Sequence, residues 1–238
     1  MRINLVMPNR ELKAEALELF NAKQYEKSLE LYKYIAKQGD LTSLATVGYL
    51  YHNGFGVEQS YATAIEYYQK ASDAGEHSSS YNLGMLYLRG LGVEKNSVKA
   101  HEYYLKAAVK NMPQAQFDVA LMFENGEGCT QNHSEAAFWY EESAKRGNAE
   151  AFNNLGVLFK EGMGVEKSDK KAYILFKQSA TRNSPEGQFN LGAMYDQGLG
   201  CEESQEKALE WCRKASFQGH QKAKDIMYRM QQDGQIVF

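Results

Sequence analysis

Apolar and polar residues follow one another along this chain with the period of a helix. Ser79, Leu83, Leu86 and Tyr87 share one helical face, and Ala64, Tyr67, Tyr68 and Ala71 share another, because residues three and four apart lie above one another on an α-helix. No strand periodicity and no β-hairpin signal appears. The pattern then returns every 36 residues. An aliphatic residue followed by Gly or Ala recurs at Val47-Gly48, Leu83-Gly84, Val119-Ala120, Leu155-Gly156 and Leu191-Gly192. An aromatic comes three residues later, at Tyr51, Tyr87, Phe123, Phe159 and Tyr195. Alanine recurs at Ala64, Ala100, Ala136, Ala172 and Ala208, and two large residues follow at Tyr67-Tyr68, Tyr103-Tyr104, Trp139-Tyr140, Leu175-Phe176 and, with a cysteine in second place, Trp211-Cys212. These columns predict two helices per repeat. The small residues let the pair approach closely and the aromatics fill the space beside them. A fixed period of this length is the mark of a solenoid built from one supersecondary unit.

The ends of the predicted helices carry their own chemistry. Each first helix should stop at Gly54, Gly90, Gly126, Gly162 or Gly198, where a left-handed residue closes the last turn cheaply. Each second helix should start at Ser60, Asn96, Asn132, Ser168 or Ser204, whose side chains accept a free amide of the first turn. Asn132 with Glu135 has the spacing of a capping box. Gly75, Asn111, Gly147, Asn183 and Gly219 should end the second helices, since Gly and Asn adopt positive φ most readily. Pro113 and Pro185 share a register that suits the first helical turn.

The array changes at both ends. Residues 1–9 read as a leader, and residues 10–39 as a shorter hairpin turning at Ala22-Lys23-Gln24. Five full repeats fill 40–221, and 222–238 repeat the first helix alone, with Gly234 and Val237 in register with Gly198 and Cys201.

The run Leu83-Gly84-Met85-Leu86-Tyr87-Leu88-Arg89-Gly90-Leu91-Gly92-Val93, followed by Lys99-Ala100-His101-Glu102-Tyr103-Tyr104-Leu105-Lys106-Ala107-Ala108, resembles the Sel-1-like repeat, a relative of the tetratricopeptide repeat. The hairpin at 10–39 is more similar to an ordinary tetratricopeptide unit. The resemblance implies an all-α fold, a right-handed α/α superhelix whose first helices line a concave groove. It also implies scaffold and adaptor roles, many of them bacterial, with no shared catalytic residues.

Composition works by exclusion. A net charge of −3 with 24% charged residues makes no electrostatic case for nucleic acid or an acidic membrane. No apolar run is long enough to span a bilayer, and the first residues lack the core of a secretory signal. A cytoplasmic protein is the expectation. Three cysteines, not one per repeat, argue against a disulfide framework. Cys129, Cys201 and Cys212 fall in columns expected to be buried, though Cys201 and Cys212 share a hairpin. The five histidines lack ligand spacing, so neither metal nor cofactor is expected.

Two motifs invite an enzymatic reading. The five Gly-x-Gly pairs lack the third glycine and preceding strand of a dinucleotide site. Ser168-Asp169-Lys170-Lys171 and Ser204-Gln205-Glu206-Lys207 match Ser-x-x-Lys, but both serines occupy the N-cap column and the companion elements are absent. The expectation is therefore a non-enzymatic scaffold binding a protein or peptide. The alternatives are a bacterial regulatory or immunity protein gripping one folded partner, and a β-lactam-handling enzyme.

By analogy with tetratricopeptide repeats, the groove would be lined by exposed first-helix positions. One column reads Ala45, Tyr81, Phe117, Asn153, Phe189; the next Tyr49, Met85, Leu121, Val157, Ala193; a third His52, Leu88, Glu124, Lys160, Asp196. A fourth reads Thr46, Asn82, Asp118, Asn154, Asn190. Asparagine is poor in mid-helix, so its recurrence asks for a bond to the neighbouring repeat or to a bound peptide. The candidate partner-binding residues are Tyr49, Tyr81, Asn82, Met85, Leu88, Phe117, Leu121 and Asn154. The aromatics among them equally suit packing between repeats. Glu150, Glu161, Glu186 and Asp196 would favour a partner with positive charge.

Overall fold

The computed structural model describes residues 8–232. Among these residues there are thirteen α-helices and no strand. They fall into two compact units, one up to Lys110 and one from Asn111. The first holds α1 (Asn9–Asn21), α2 (Tyr25–Ala36), α3 (Leu41–Asn53), α4 (Tyr61–Asp73), α5 (His77–Arg89) and α6 (Ser97–Ala108). The second holds α7 (Pro113–Asn125), α8 (His133–Lys145), α9 (Ala149–Glu161), α10 (Asp169–Thr181), α11 (Pro185–Gln197), α12 (Gln205–Phe217) and α13 (Gln221–Gln232). Within each unit a helix packs on its neighbours in sequence, and first helices of successive repeats also touch, as α3 does α5 and α9 does α11. Asn9, the last residue of the expected leader, opens α1, while Gly234 and Val237 lie outside the described residues.

The predicted terminators hold their places. Gly54, Gly90, Gly126, Gly162 and Gly198 are left-handed C-caps. Asn111 and Asn183 adopt φ of 64° and 67° in the column that Gly75, Gly147 and Gly219 occupy elsewhere. Ser60, Asn96, Asn132, Ser168 and Ser204 each accept an amide of the first turn, an arrangement worth about 1 kcal/mol per helix. Ser168 and Ser204 therefore cap the amides of Lys171 and Lys207, at 3.3 and 3.4 Å. Pro113 and Pro185 occupy the first turns of α7 and α11.

The capping box at Asn132 is only half formed. Its side chain accepts from Ser134 and Glu135, but its own N–H donates to the Phe123 carbonyl at 2.8 Å. The same bond recurs from Ser60 to Tyr51, Asn96 to Tyr87, Ser168 to Phe159 and Ser204 to Tyr195. Each loop is thus closed onto the preceding helix, and no N–H is left for Glu135 to satisfy.

Close helix approach has a specific form. In α3, α5 and α9 a Cβ added at Gly48, Gly84 or Gly156 would stand 2.6–2.7 Å from the ring of Tyr68, Tyr104 or Phe176. Those rings are buried, so each glycine is a seat for an aromatic of the paired helix.

All three cysteines are free. The Cys201 thiol donates to the Met194 carbonyl at 3.6 Å and Cys212 to the Ala223 carbonyl at 3.9 Å. Burial pushes every one of the three thiols above its usual range, which lowers the thiolate fraction at a given pH. Counting with a thiol reagent under denaturing conditions, without reductant, should find three thiols. In the folded protein Cys212, the buried one, should react last. A count of one, or Cys212 reacting first, would contradict this assignment.

Candidate functional site

The candidate residues sit on first helices, and each unit arranges them differently. In the first unit Tyr81, Asn82, Met85 and Leu88 lie along α5, all half-buried, and Tyr49 lies on α3 with 44% of its surface exposed. Tyr49 faces Phe20 and Phe55 at 6.5 and 6.0 Å. Met85 packs against the core of Ala64, Tyr68, Leu83 and Leu86. The Tyr81 ring lies 5.2 Å from that of Tyr104. Tyr81 and Met85 therefore each pack with part of their surface and present the rest.

The polar chemistry of this unit is incomplete. The Tyr68 hydroxyl is buried and has no hydrogen-bond partner. Burial raises its phenol pKa above the ordinary value, with smaller contributions from Tyr49 and Glu76. The His52 ring lies 6.4 Å from the Tyr68 ring, centroid to centroid. Burial, and then Arg89, pulls the His52 pKa down, so the neutral imidazole is favoured there.

The second unit completes the same chemistry. Tyr140, the counterpart of Tyr68, donates its hydroxyl hydrogen to Glu124 and accepts from Asn154 Nδ2 at 3.0 Å. Burial, followed by the Glu124 carboxylate, raises its phenol pKa. Asn153 donates to Asn154 Oδ1 at 3.1 Å, and Asn190 donates to Asn153 Oδ1 at 2.7 Å. The asparagine column here bonds within its own repeat and to the neighbouring repeat, which compensates for its poor helix propensity. Phe117 and Leu121, on α7, pack against the core around Tyr140, and the Phe117 ring is 5.7 Å from the Tyr140 ring. Phe117 and Asn154 therefore converge on one buried tyrosine, and Leu121 packs against the core that contains it. The Tyr140–Glu124–Asn154 network escaped sequence reasoning. Its only trace was the coincidence of Tyr140, Glu124 and Asn154 in three separate columns.

Among the described residues no cluster of His, Cys, Asp and Glu is placed to hold a metal, and no helix is long and apolar enough to cross a membrane. A family model for the Sel1 repeat matches residues 22–40, 43–76, 77–110, 113–148, 149–184 and 185–220. The chain belongs to the Sel1 repeat family. The first matched segment covers α2, and the other five each take in one helix pair. No curated protein matches the chain. Among solved structures, a Sel1 repeat protein from Oxalobacter formigenes is 30% identical, with a TM-score of 0.83, over 87% of this chain and 85% of its own. The c5321 protein, a protective antigen present in uropathogenic Escherichia coli strains and displaying an SLR fold, is 28% identical with a TM-score of 0.88. That match covers 93% of this chain and 48% of c5321, so the chain spans about half of that protein's length. Both matches carry the all-α repeat fold. Sel1 repeat proteins generally mediate protein–protein interaction and are typically non-enzymatic scaffolds.

Proposed function

We propose that this Sel1 repeat chain is a non-enzymatic scaffold that holds a protein segment on the exposed face of its first helices. The observation that carries the reading is the unfinished face of the first unit. There Tyr49 is exposed, Met85 and Leu88 are part-exposed, and the buried Tyr68 hydroxyl lacks the partners that Tyr140 has. Apolar side chains grouped on a surface mark interaction sites, and an unpaired buried hydroxyl is costly until something bonds it. Asn82, the counterpart of Asn154, supplies an amide that can both donate to and accept from an extended backbone. In the second unit Phe117 and Asn154 are engaged with Tyr140 and Leu121 with the core around it, and all three would contribute through their remaining surface.

The test is the double variant Met85→Lys with Leu88→Glu. A partner recovered with the parent from its native cell, identified by mass spectrometry and then purified, should bind the variant at least tenfold more weakly. Helical signal and melting temperature should match the parent. Lys70→Glu, on the second helix α4, should bind normally. Unchanged binding by the double variant would remove this face as the site.

A further inference from the structure

The second helices carry a buried ring at Tyr68, Tyr104, Tyr140 and Phe176, and the column ends at Cys212. The last pair lacks the ring, and the backbone of α12 lies against the glycine in its place. A Cβ at Gly192 would meet the Ala208 carbonyl oxygen at 3.1 Å and the Cys212 nitrogen at 3.4 Å, with no aromatic ring atom among its nearest neighbours. A cavity of about 510 Å³ opens here, lined by Phe189, Gly192, Leu209, Cys212, Ile226 and Met230. An apolar cavity of roughly 150 Å³ holds a benzene ring, so a whole aromatic side chain fits with room for its attachment. Phe189 has a different ring partner from its counterparts. Tyr81 and Phe117 in the same column face the rings of Tyr104 and Tyr140, whereas Phe189 stacks on His220 at 4.4 Å.

The remaining wall sets the charge. Asp196 and Glu206 line the cavity and are exposed, and no basic side chain lines it. Among the described residues no ion pair engages either carboxylate. The cavity lies wholly in the second unit, on the columns of Phe189, Ala193 and Asp196.

We propose that this cavity receives one aromatic side chain of a partner protein segment, seated among Phe189, Leu209, Cys212 and Ile226. A lysine or arginine beside that aromatic in the partner pairs with Asp196 and Glu206. The proposal rests on the reading of the chain as a holder of protein segments and names the chemistry of one contact.

The probe is an acetylated, amidated pentapeptide, Ala-Lys-Phe-Lys-Ala, with 4-fluorophenylalanine at its centre. Its twin carries alanine there, and Tyr and Trp versions extend the set. Binding is read by titration at low salt, with fluorine NMR for the labelled peptide. The full chain should bind the aromatic peptides at least tenfold more tightly than the alanine twin. Cys212→Phe puts the ring back, so it should raise the melting temperature and erase that preference. Asp196→Lys with Glu206→Lys changes only exposed positions, so it tests the site even if Cys212→Phe fails to fold. It should weaken aromatic-peptide binding at least fivefold and flatten its salt dependence. With the full-length chain, three results would overturn the proposal: no aromatic preference in the parent, undiminished binding by a folded Cys212→Phe protein, or indifference to the two charge reversals. Binding by a chain cut after Gln232, when the full chain does not bind, would assign the cavity to the chain's own end and equally overturn it. The Met85–Leu88 experiment reads the other unit, so failure there and failure here are separate results.

Discussion

Replacing Gly164 with alanine should destabilise the second unit by about 2–5 kcal/mol, combining left-handed strain of about 1–2 with overpacking of about 1–3. Gly164 is the second glycine of its Gly-x-Gly pair and sits at φ +67°. A Cβ there would stand 2.3 Å from the His133 carbonyl carbon and 2.4 Å from the Ser134 nitrogen. Both are backbone atoms at the start of α8, so no rotamer change relieves the clash. The loop is also tied in place, because Ser134 Oγ donates to the Gly164 carbonyl at 2.9 Å. Gly147 is the control. It has φ +91° with nothing within 4 Å of an added Cβ, so Gly147→Ala should lose only the conformational part. Equal shifts of the denaturation midpoint for the two variants would show that the close loop–helix approach contributes nothing.

Gly156→Leu should lower stability by about 2–4 kcal/mol, through overpacking and not through backbone strain. Gly156 lies within α9, and its Cβ would fall 2.7 Å from Cε1 of Phe176, which is 1% exposed. A leucine must expel that ring or push α9 off α10. The pair can be tested as a unit. Gly156→Leu combined with Phe176→Ala removes the collision, so the double variant should lose clearly less than the sum of the singles. Purely additive losses, measured by chemical denaturation, would mean that the glycine is not a seat for the ring. A Gly156→Leu protein melting within a degree of the parent would lead to the same conclusion.

Helix ends were legible because their chemistry is local. A left-handed C-cap at Gly54, an N-cap at Ser60 and a positive φ at Asn111 each depend on a residue and the few beside it. Five repetitions of the same chemistry made the register certain before any contact was known. The small-residue column was legible too, as a site of close approach, although which ring lies on each glycine was not. The capping box at Asn132 shows the limit of local rules, because its backbone N–H is claimed by Phe123 nine residues earlier.

What the 36-residue pattern determined by itself was the all-α repeat fold, the two helices of each repeat and nearly every helix end. The tertiary structure alone decided the role of Gly164, the engagement of Asn154 and Glu124 by Tyr140, the lone Tyr68 hydroxyl and the cavity beside Gly192. The division has a physical cause. Backbone preference acts within a turn or two, so a single residue type reveals it. A hydrogen bond or a cavity depends on groups 14 to 30 residues apart, as between Tyr140 and Asn154 or Ser134 and the Gly164 carbonyl. Tyr68 and Tyr140 are the same residue in the same column, and only their neighbours in space make one complete and leave the other unpaired.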